Sequence, residues 1–212
     1  LREAGIKVEI GVLEQECRAL NKRFLCLQEQ HRPYVILKWA QTEDGYIDYR
    51  REAGTHNPLV ISTPYMKEVV HKMRAENMAI MVGTNTVLLD NPRLQTTRWI
   101  GRNPIRVTMD RHGVLPADSR IFEHVEDEAK RYTGQDEVIV YRENTDWDYI
   151  LSDLGRRGIH SLLVGIQLSS ILDTFYRYET LTLLVNAKGV MQNENKMASP
   201  PVDHLTFRKG TH

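Results

Sequence analysis

The sequence predicts an α/β protein with a mainly parallel central sheet flanked by helices, and three observations carry that prediction. From Tyr34 onward, short apolar β-rich runs alternate with helical segments, the arrangement that builds βαβ crossovers. At Ala79–Asp90 a four-residue apolar run passes through Gly83 into a short helical pattern, ended by Asp90-Asn91-Pro92. The chain has 212 residues, enough for one such domain with a substantial core or for one domain and an appendage.

In chain order, Ile6, Val8 and Ile10 alternate with Lys7, Glu9 and Gly11, the period-two mark of a half-buried strand. Leu13, Cys17, Leu20, Phe24 and Leu27 then recur at spacings of four and three, so an amphipathic helix is expected over residues 13–28. Glu14 and Glu16 lie near its N-terminus, where the helix dipole favours acids. Pro33 resets the chain before a strand at residues 34–40. Further strands are expected at 79–82, 105–109, 137–141, 161–164 and 180–185, and helices at about 64–76, 84–90, 147–157 and 168–177. Residues 191–201 are polar and close with Ser199-Pro200-Pro201, which reads as a loop, while 204–208 alternate again as a final edge strand.

Composition narrows the function. With 28 basic and 28 acidic side chains the formal charge is zero, whereas a general nucleic-acid or membrane-surface binder needs a basic excess. Any anion is therefore expected to meet a few placed cations. Cys17 and Cys26 form no C-x-x-C pair, and the histidines lie in no H-E-x-x-H context, so no metal site is expected. There is no G-x-S-x-G elbow and no P-loop. No apolar run is long enough to span a bilayer and no signal peptide is recognised, so the expectation is a cytoplasmic protein.

The candidate residues cluster around strand ends. Lys38 lies near the end of an otherwise apolar strand, and a cation at a strand's carboxyl end faces the crevice where open α/β sheets bind ligands; the alternative is a lysine that snorkels to solvent. Gly83 lets the backbone approach a ligand, and Thr84 or Asn85 is expected to cap the helix that follows, where unpaired N–H groups favour an anion. Asp90 either accepts hydrogen bonds from a ribose or amide or terminates its helix ahead of Pro92. Arg74 and Arg98 each offer a planar fork of donors suited to a phosphate; the alternative for each is a solvated surface charge.

Leu37-Lys38-Trp39-Ala40 with Asp44-Gly45, His71-Lys72-Met73-Arg74-Ala75, Val82 through Pro92, and Asn103-Pro104-Ile105-Arg106-Val107 with Asp110-Arg111 together resemble the reductase domain of the bifunctional riboflavin-biosynthesis deaminase/reductase. The order and spacing over residues 34–111 make the match specific. Residues 1–30 resemble the tail of that family's deaminase domain, whose zinc motif is absent from these residues, and 31–212 the NADPH-dependent reductase. The resemblance implies a dihydrofolate-reductase-like fold, a homodimer, and NADPH-dependent reduction of 5-amino-6-(5-phosphoribosylamino)uracil to the ribitylamino product, with no metal. By position, Ala40, Gly83, Thr84, Thr86, Asp90, Arg111 and Gly165 fall on the family's cofactor side. Lys38, Arg74, Leu94 and Arg98 fall on the side of the phosphorylated pyrimidine ribosylamine, Arg98 after a one-residue insertion within Gln95-Thr96-Thr97.

Further along, the sequence departs from this pattern. After a strand such as Ser161–Val164 the family carries Glu-Gly-Gly and a helix, whereas here Val164 runs into Gly165-Ile166-Gln167-Leu168. The acidic residue and at least one glycine are absent. The alternative this raises is a catalytically impaired nucleotide-binding or dimerisation module of the same fold.

Overall fold

The computed structural model describes residues 1–42, 46–52, 59–123, 137–142, 146–165 and 196–198. Five parallel strands make the central sheet: β1 (Tyr34–Lys38), β3 (Ala79–Val82), β4 (Ile105–Met109), β5 (Val138–Tyr141) and β6 (Ser161–Gly165), in the spatial order β1-β6-β3-β4-β5. The expected parallel sheet is thus present. Four of these strands are buried at nearly every position, as they must be when helices cover both faces. Alternate residues sort into two cores. Val35, Leu37, Met81, Val107, Leu162 and Val164 point to one face, and Tyr34, Ile36, Ile80, Val82 and Leu163 to the other.

The first face is covered by α5 (Trp147–Arg156), which places Trp147, Ile150, Leu151 and Leu154 on one stripe. Each of these side chains contributes about 1.5–3 kcal/mol by leaving water. Asp146 starts the helix by accepting a hydrogen bond from the Tyr149 N–H at 2.8 Å. On the second face lie Cys26 of α2 (Lys22–Gln30), Met73 of α3 (Pro64–Glu76) and Val87 of α4 (Thr84–Asp90). Thr63 caps α3 by accepting from the Met66 N–H at 3.2 Å, with Pro64 in the first turn, where its missing N–H costs nothing. The bounds of α3 and α4 are those expected from the sequence.

Four expectations are corrected. Residues 6–10 form no strand: Ile6 and Ile10 are exposed, and among the described residues no strand pairs with them to satisfy the backbone. The single helix over 13–28 is two, α1 (Glu14–Leu20) and α2, broken at Asn21. There the Asn21 amide donates to the Cys17 carbonyl at 2.9 Å and competes with the helical ladder. Neither Thr84 nor Asn85 caps α4. Gly83 holds the cap position, and the Thr84 hydroxyl donates instead to the carbonyl of Met109 on β4. Finally, the loop expected at 191–201 contains β7 (Lys196–Ala198), which pairs antiparallel with β2 (Tyr46–Tyr49) in a second sheet that periodicity does not reveal. The elements expected at 168–177, 180–185 and 204–208, and the Asp44-Gly45 turn, lie outside the described residues.

Candidate active site

Strand order positions the site. β6 is late in the chain yet inserts between β1 and β3, so Lys38 and Gly165, direct register partners, end side by side at the sheet's carboxyl edge. Open parallel sheets bind ligands at such departures of spatial order from chain order. A cavity of about 510 Å³ opens there, within the size range of small-molecule sites. Of the site residues expected from the sequence, Lys38, Ala40, Arg74, Thr86, Asp90, Arg98 and Gly165 line it. The others do not. Leu94 is buried in the second core with φ 59, Gly83 caps α4, Thr84 turns to β4, and Arg111 is exposed in the turn after β4, where Asp110 accepts from the Val114 N–H at 2.9 Å.

One wall is basic. Lys67, His71 and Arg74 follow one another along α3 at spacings of four and three, and this places them on one helix face toward the cavity. Arg74 Nη1 donates to the Gln95 carbonyl at 2.8 Å, while its Nε is buried with no partner. Burial lowers the Arg74 pKa to about 10. Lys38 is brought down to about 8, chiefly by burial and then by the charge of Arg74. His71 falls to about 4, again by burial first and then by Arg74 and Arg98. Lys38 and Arg74, two cations whose charge is disfavoured chiefly by burial, line one cavity beside a His71 ring held neutral, and an anion there is stabilised because it offsets the cost of burying their charge.

The acidic part of the lining is compensated. Asp48 on β2 is buried, and it accepts from the Arg51 Nε at 2.9 Å and from the backbone N–H of Tyr49 at 2.8 Å. Arg51 Nη2 also reaches Asp90 Oδ1 at 2.6 Å, so one guanidinium bridges two carboxylates. Next to Asp90 on α4, the Thr86 hydroxyl is buried and has no hydrogen-bond partner. An orphaned donor and acceptor in the wall of a cavity fits a polar ligand that completes it. Thr86 and Asp90 thus give the lining a hydroxyl and a carboxylate, while Gly165, beside Lys38 at the end of β6, offers backbone with no side chain in the way.

Asp48, Arg51, Lys67 and His71 join the site without having been expected there from sequence. Lys67 and His71 carry a signal that could have found them, a basic stripe with Arg74 at helical spacing. Arg51 carries none, because its second carboxylate lies 39 residues away in the chain. Among the described residues no group of His, Cys, Asp and Glu is arranged to hold a metal ion, and both cysteines are free thiols. No helix among them is long and apolar enough to cross a membrane.

Fold and cavity together define a parallel α/β protein with a cleft at the strand ends lined by both basic and polar side chains. The chain belongs to the RibD C-terminal domain family, whose model matches residues 33–166. It is 34% identical over 188 residues to the riboflavin biosynthesis protein RibD of Aquifex aeolicus, covering 87% of this chain and 48% of that protein. To the RibD of Synechocystis it is 32% identical over 197 residues, covering 92% and 50%. The chain thus spans about half the length of the curated relatives it matches. A solved Thermotoga maritima deaminase/5-amino-6-(5-phosphoribosylamino)uracil reductase superposes with a TM-score of 0.73 at 30% identity, over 92% of this chain and 56% of that one. The Acinetobacter baumannii RibD gives the same TM-score at 22% identity, which speaks to the fold. That fold is dihydrofolate-reductase-like, and the relatives are oxidoreductases of riboflavin biosynthesis.

Proposed function

We propose that this chain reduces 5-amino-6-(5-phosphoribosylamino)uracil to its ribitylamino product, with NADPH as the reductant. The observation that carries the reading is one cavity at the sheet's carboxyl edge whose lining combines the cations Lys38, Arg74 and Arg98 with Thr86 and Asp90. A further relative, the 2,5-diamino-6-ribosylamino-4(3H)-pyrimidinone 5′-phosphate reductase of Aquifex aeolicus, is 30% identical over 63% of this chain and 66% of that protein. Its name specifies a phosphorylated ribosylaminopyrimidine as substrate.

On this reading Arg74 and Arg98 bind the ribose phosphate by charge-assisted hydrogen bonds. Ala40, Thr86, Asp90 and Gly165 line the cofactor side, and Gly83, Thr84 and Arg111 support it from outside the cavity lining. Bound NADPH supplies the hydride that C1′ of the ring-opened sugar accepts, while the adjoining nitrogen takes up a proton. The chain's share is to align the two partners and keep water away from C1′. Lys38 Nζ, with its pKa lowered to about 8, carries a proton it gives up more readily than a solvated lysine, beside the phosphate end. We further read residues 1–30 as the tail of a deaminase domain, in line with a family match that starts at residue 33, and the protein as a cytoplasmic homodimer.

Following NADPH oxidation with the phosphorylated substrate, with NADH as control, tests the reading. Turnover with NADPH is expected; absence of both cofactor binding at millimolar concentration and turnover overturns it. A second reading, a catalytically impaired nucleotide-binding or dimerisation module, rests on Val164-Gly165-Ile166-Gln167 in place of Glu-Gly-Gly. The family match ends at residue 166, one residue after that departure begins. Protein that binds NADPH yet never oxidises it with the substrate favours this second reading.

A further inference from the structure

The segment carrying Arg98 is tied to α3 at four successive points. Arg74 Nη1 donates to the Gln95 carbonyl at 2.8 Å. His71 Nδ1 accepts from the Thr97 N–H at 3.0 Å and, more distantly, from the Arg98 N–H at 3.4 Å. The Lys72 ammonium sits 5.4 Å from the centre of the Trp99 ring. At Gly101, with φ 148, the backbone comes so near the helix that a Cβ would lie 2.6 Å from that of Ala75. The segment Gln95–Gly101, which contains the insertion relative to the family pattern, is therefore held against the stretch of α3 from His71 to Ala75. Among these ties, His71 alone joins the backbone of Arg98 to a side chain that lines the cavity.

We propose that His71 is the positioning residue of the phosphate end of the cavity: through Nδ1 its neutral imidazole fixes the Thr97–Arg98 backbone and so aims the Arg98 guanidinium at the bound phosphate. Two N–H donors converging on Nδ1 require a lone pair there, so the ring's single proton sits on Nε2. Protonation of Nδ1 would turn the acceptor into a donor facing two donors. The surroundings oppose that change, since burial and the flanking Arg74 and Arg98 hold the ring neutral well below its ordinary range. Arg98 is itself exposed, and an exposed arginine spreads its charge over many rotamers unless its backbone is fixed. The anchor reduces the ordering that binding would otherwise have to supply.

The inference rests on the phosphate assignment made under Proposed function, and its test separates the two. Inorganic phosphate is titrated against the whole chain by calorimetry, and substrate KM and kcat are measured in parallel, for the wild type and for H71N, H71Q and H71L. Asparagine can offer an acceptor near the position of Nδ1, whereas glutamine offers its polar atoms near Nε2. Loss of one positioning hydrogen bond is expected to weaken phosphate binding and raise substrate KM roughly tenfold in H71L, with kcat and NADPH affinity little changed. H71N is expected to recover most of the loss and H71Q little of it. Equal behaviour of H71N and H71L, or better recovery by H71Q, overturns the proposal. Imidazole nitrogen shifts in the wild type, assigned by difference from H71N, provide a readout independent of any variant's folding, and a proton on Nδ1 at neutral pH also overturns it. If wild-type protein binds phosphate with this pattern but reduces no substrate, the proposed reaction fails and the role of His71 stands.

Discussion

Arg51 Nη2 lies 2.6 Å from Asp90 Oδ1, an ion pair joining residues 39 apart in sequence and tying the second sheet to the end of α4. The same guanidinium holds Asp48, so its loss leaves two carboxylates without their cation, one of them buried. Removing one partner of a buried pair costs about 3–5 kcal/mol. Because Asp90 is partly exposed, R51A is expected toward the lower end of that range, read as a fall in the urea midpoint at unchanged slope. A change below about 1 kcal/mol would place the pair with ordinary surface salt bridges.

Arg74→Ala is expected to lower kcat/KM for the phosphorylated substrate by about ten- to a hundredfold, the equivalent of a charge-assisted contact of about 1.5–3 kcal/mol. NADPH affinity should barely move, since Arg74 is assigned to the substrate and Thr86 and Asp90 to the cofactor. Arg74→Lys should rescue in part, because one point charge replaces a planar fork. Equal loss of cofactor and substrate binding would show that these residues are assigned to the wrong partners.

Lys38 gives a pH signature. Its folded pKa of about 8 lies below the ordinary 10.5, so between these values the unfolded chain binds the extra proton and the folded chain does not. Stability contributed by this site therefore rises as pH increases from about 8 toward 10.5, while phosphate affinity falls as Lys38 loses its charge. Thermal melts and phosphate titrations from about pH 7 to 10, compared with Lys38→Met, read both trends. Identical profiles for the two proteins would assign the trends to another group.

Gly155→Ala sets two effects in opposition. Within a helix, alanine gains up to about 1 kcal/mol over glycine. Here, however, a Cβ would lie 2.1 Å from the carbonyl oxygen of His31 and 3.0 Å from the Arg32 Cα, both backbone atoms with little freedom to retreat. The clash should win. Net destabilisation of about 1–3 kcal/mol is expected, measured by denaturant unfolding, and a more stable variant would show that α5 can shift away from the start of β1.

Much of the frame is legible in the residue pattern. Ala79–Val82, Ile105–Met109 and Ser161–Val164 announce themselves as buried strands because a parallel sheet covered on both faces needs mostly apolar residues along its length. Thr63 with Pro64 and Asn91 with Pro92 punctuate α3 and α4 through local backbone chemistry, which a few neighbouring residues decide. The same local patterns mislead where a partner is required. Ile6, Val8 and Ile10 alternate like a strand, yet a strand exists only when another chain segment pairs with it, and periodicity carries no information about that segment.

The site divides along the same line. Residue order alone specifies the parallel sheet, the helices α3 and α4 of its second face, and the residue types available at the strand ends: Lys38, Arg74, Asp90 and Arg98 stand in motifs whose order and spacing are readable. Which of them share a cavity is settled by tertiary packing. It sets Lys38 beside Gly165 by inserting β6 between β1 and β3, withdraws Leu94 into the core, leaves Arg111 outside the cavity, and closes Arg51 on Asp48 and Asp90. The physical reason is range. Helix and strand periodicity follow from interactions between residues a few positions apart, whereas burial, lowered pKa values and ion pairs depend on which distant segments exclude water from the same volume.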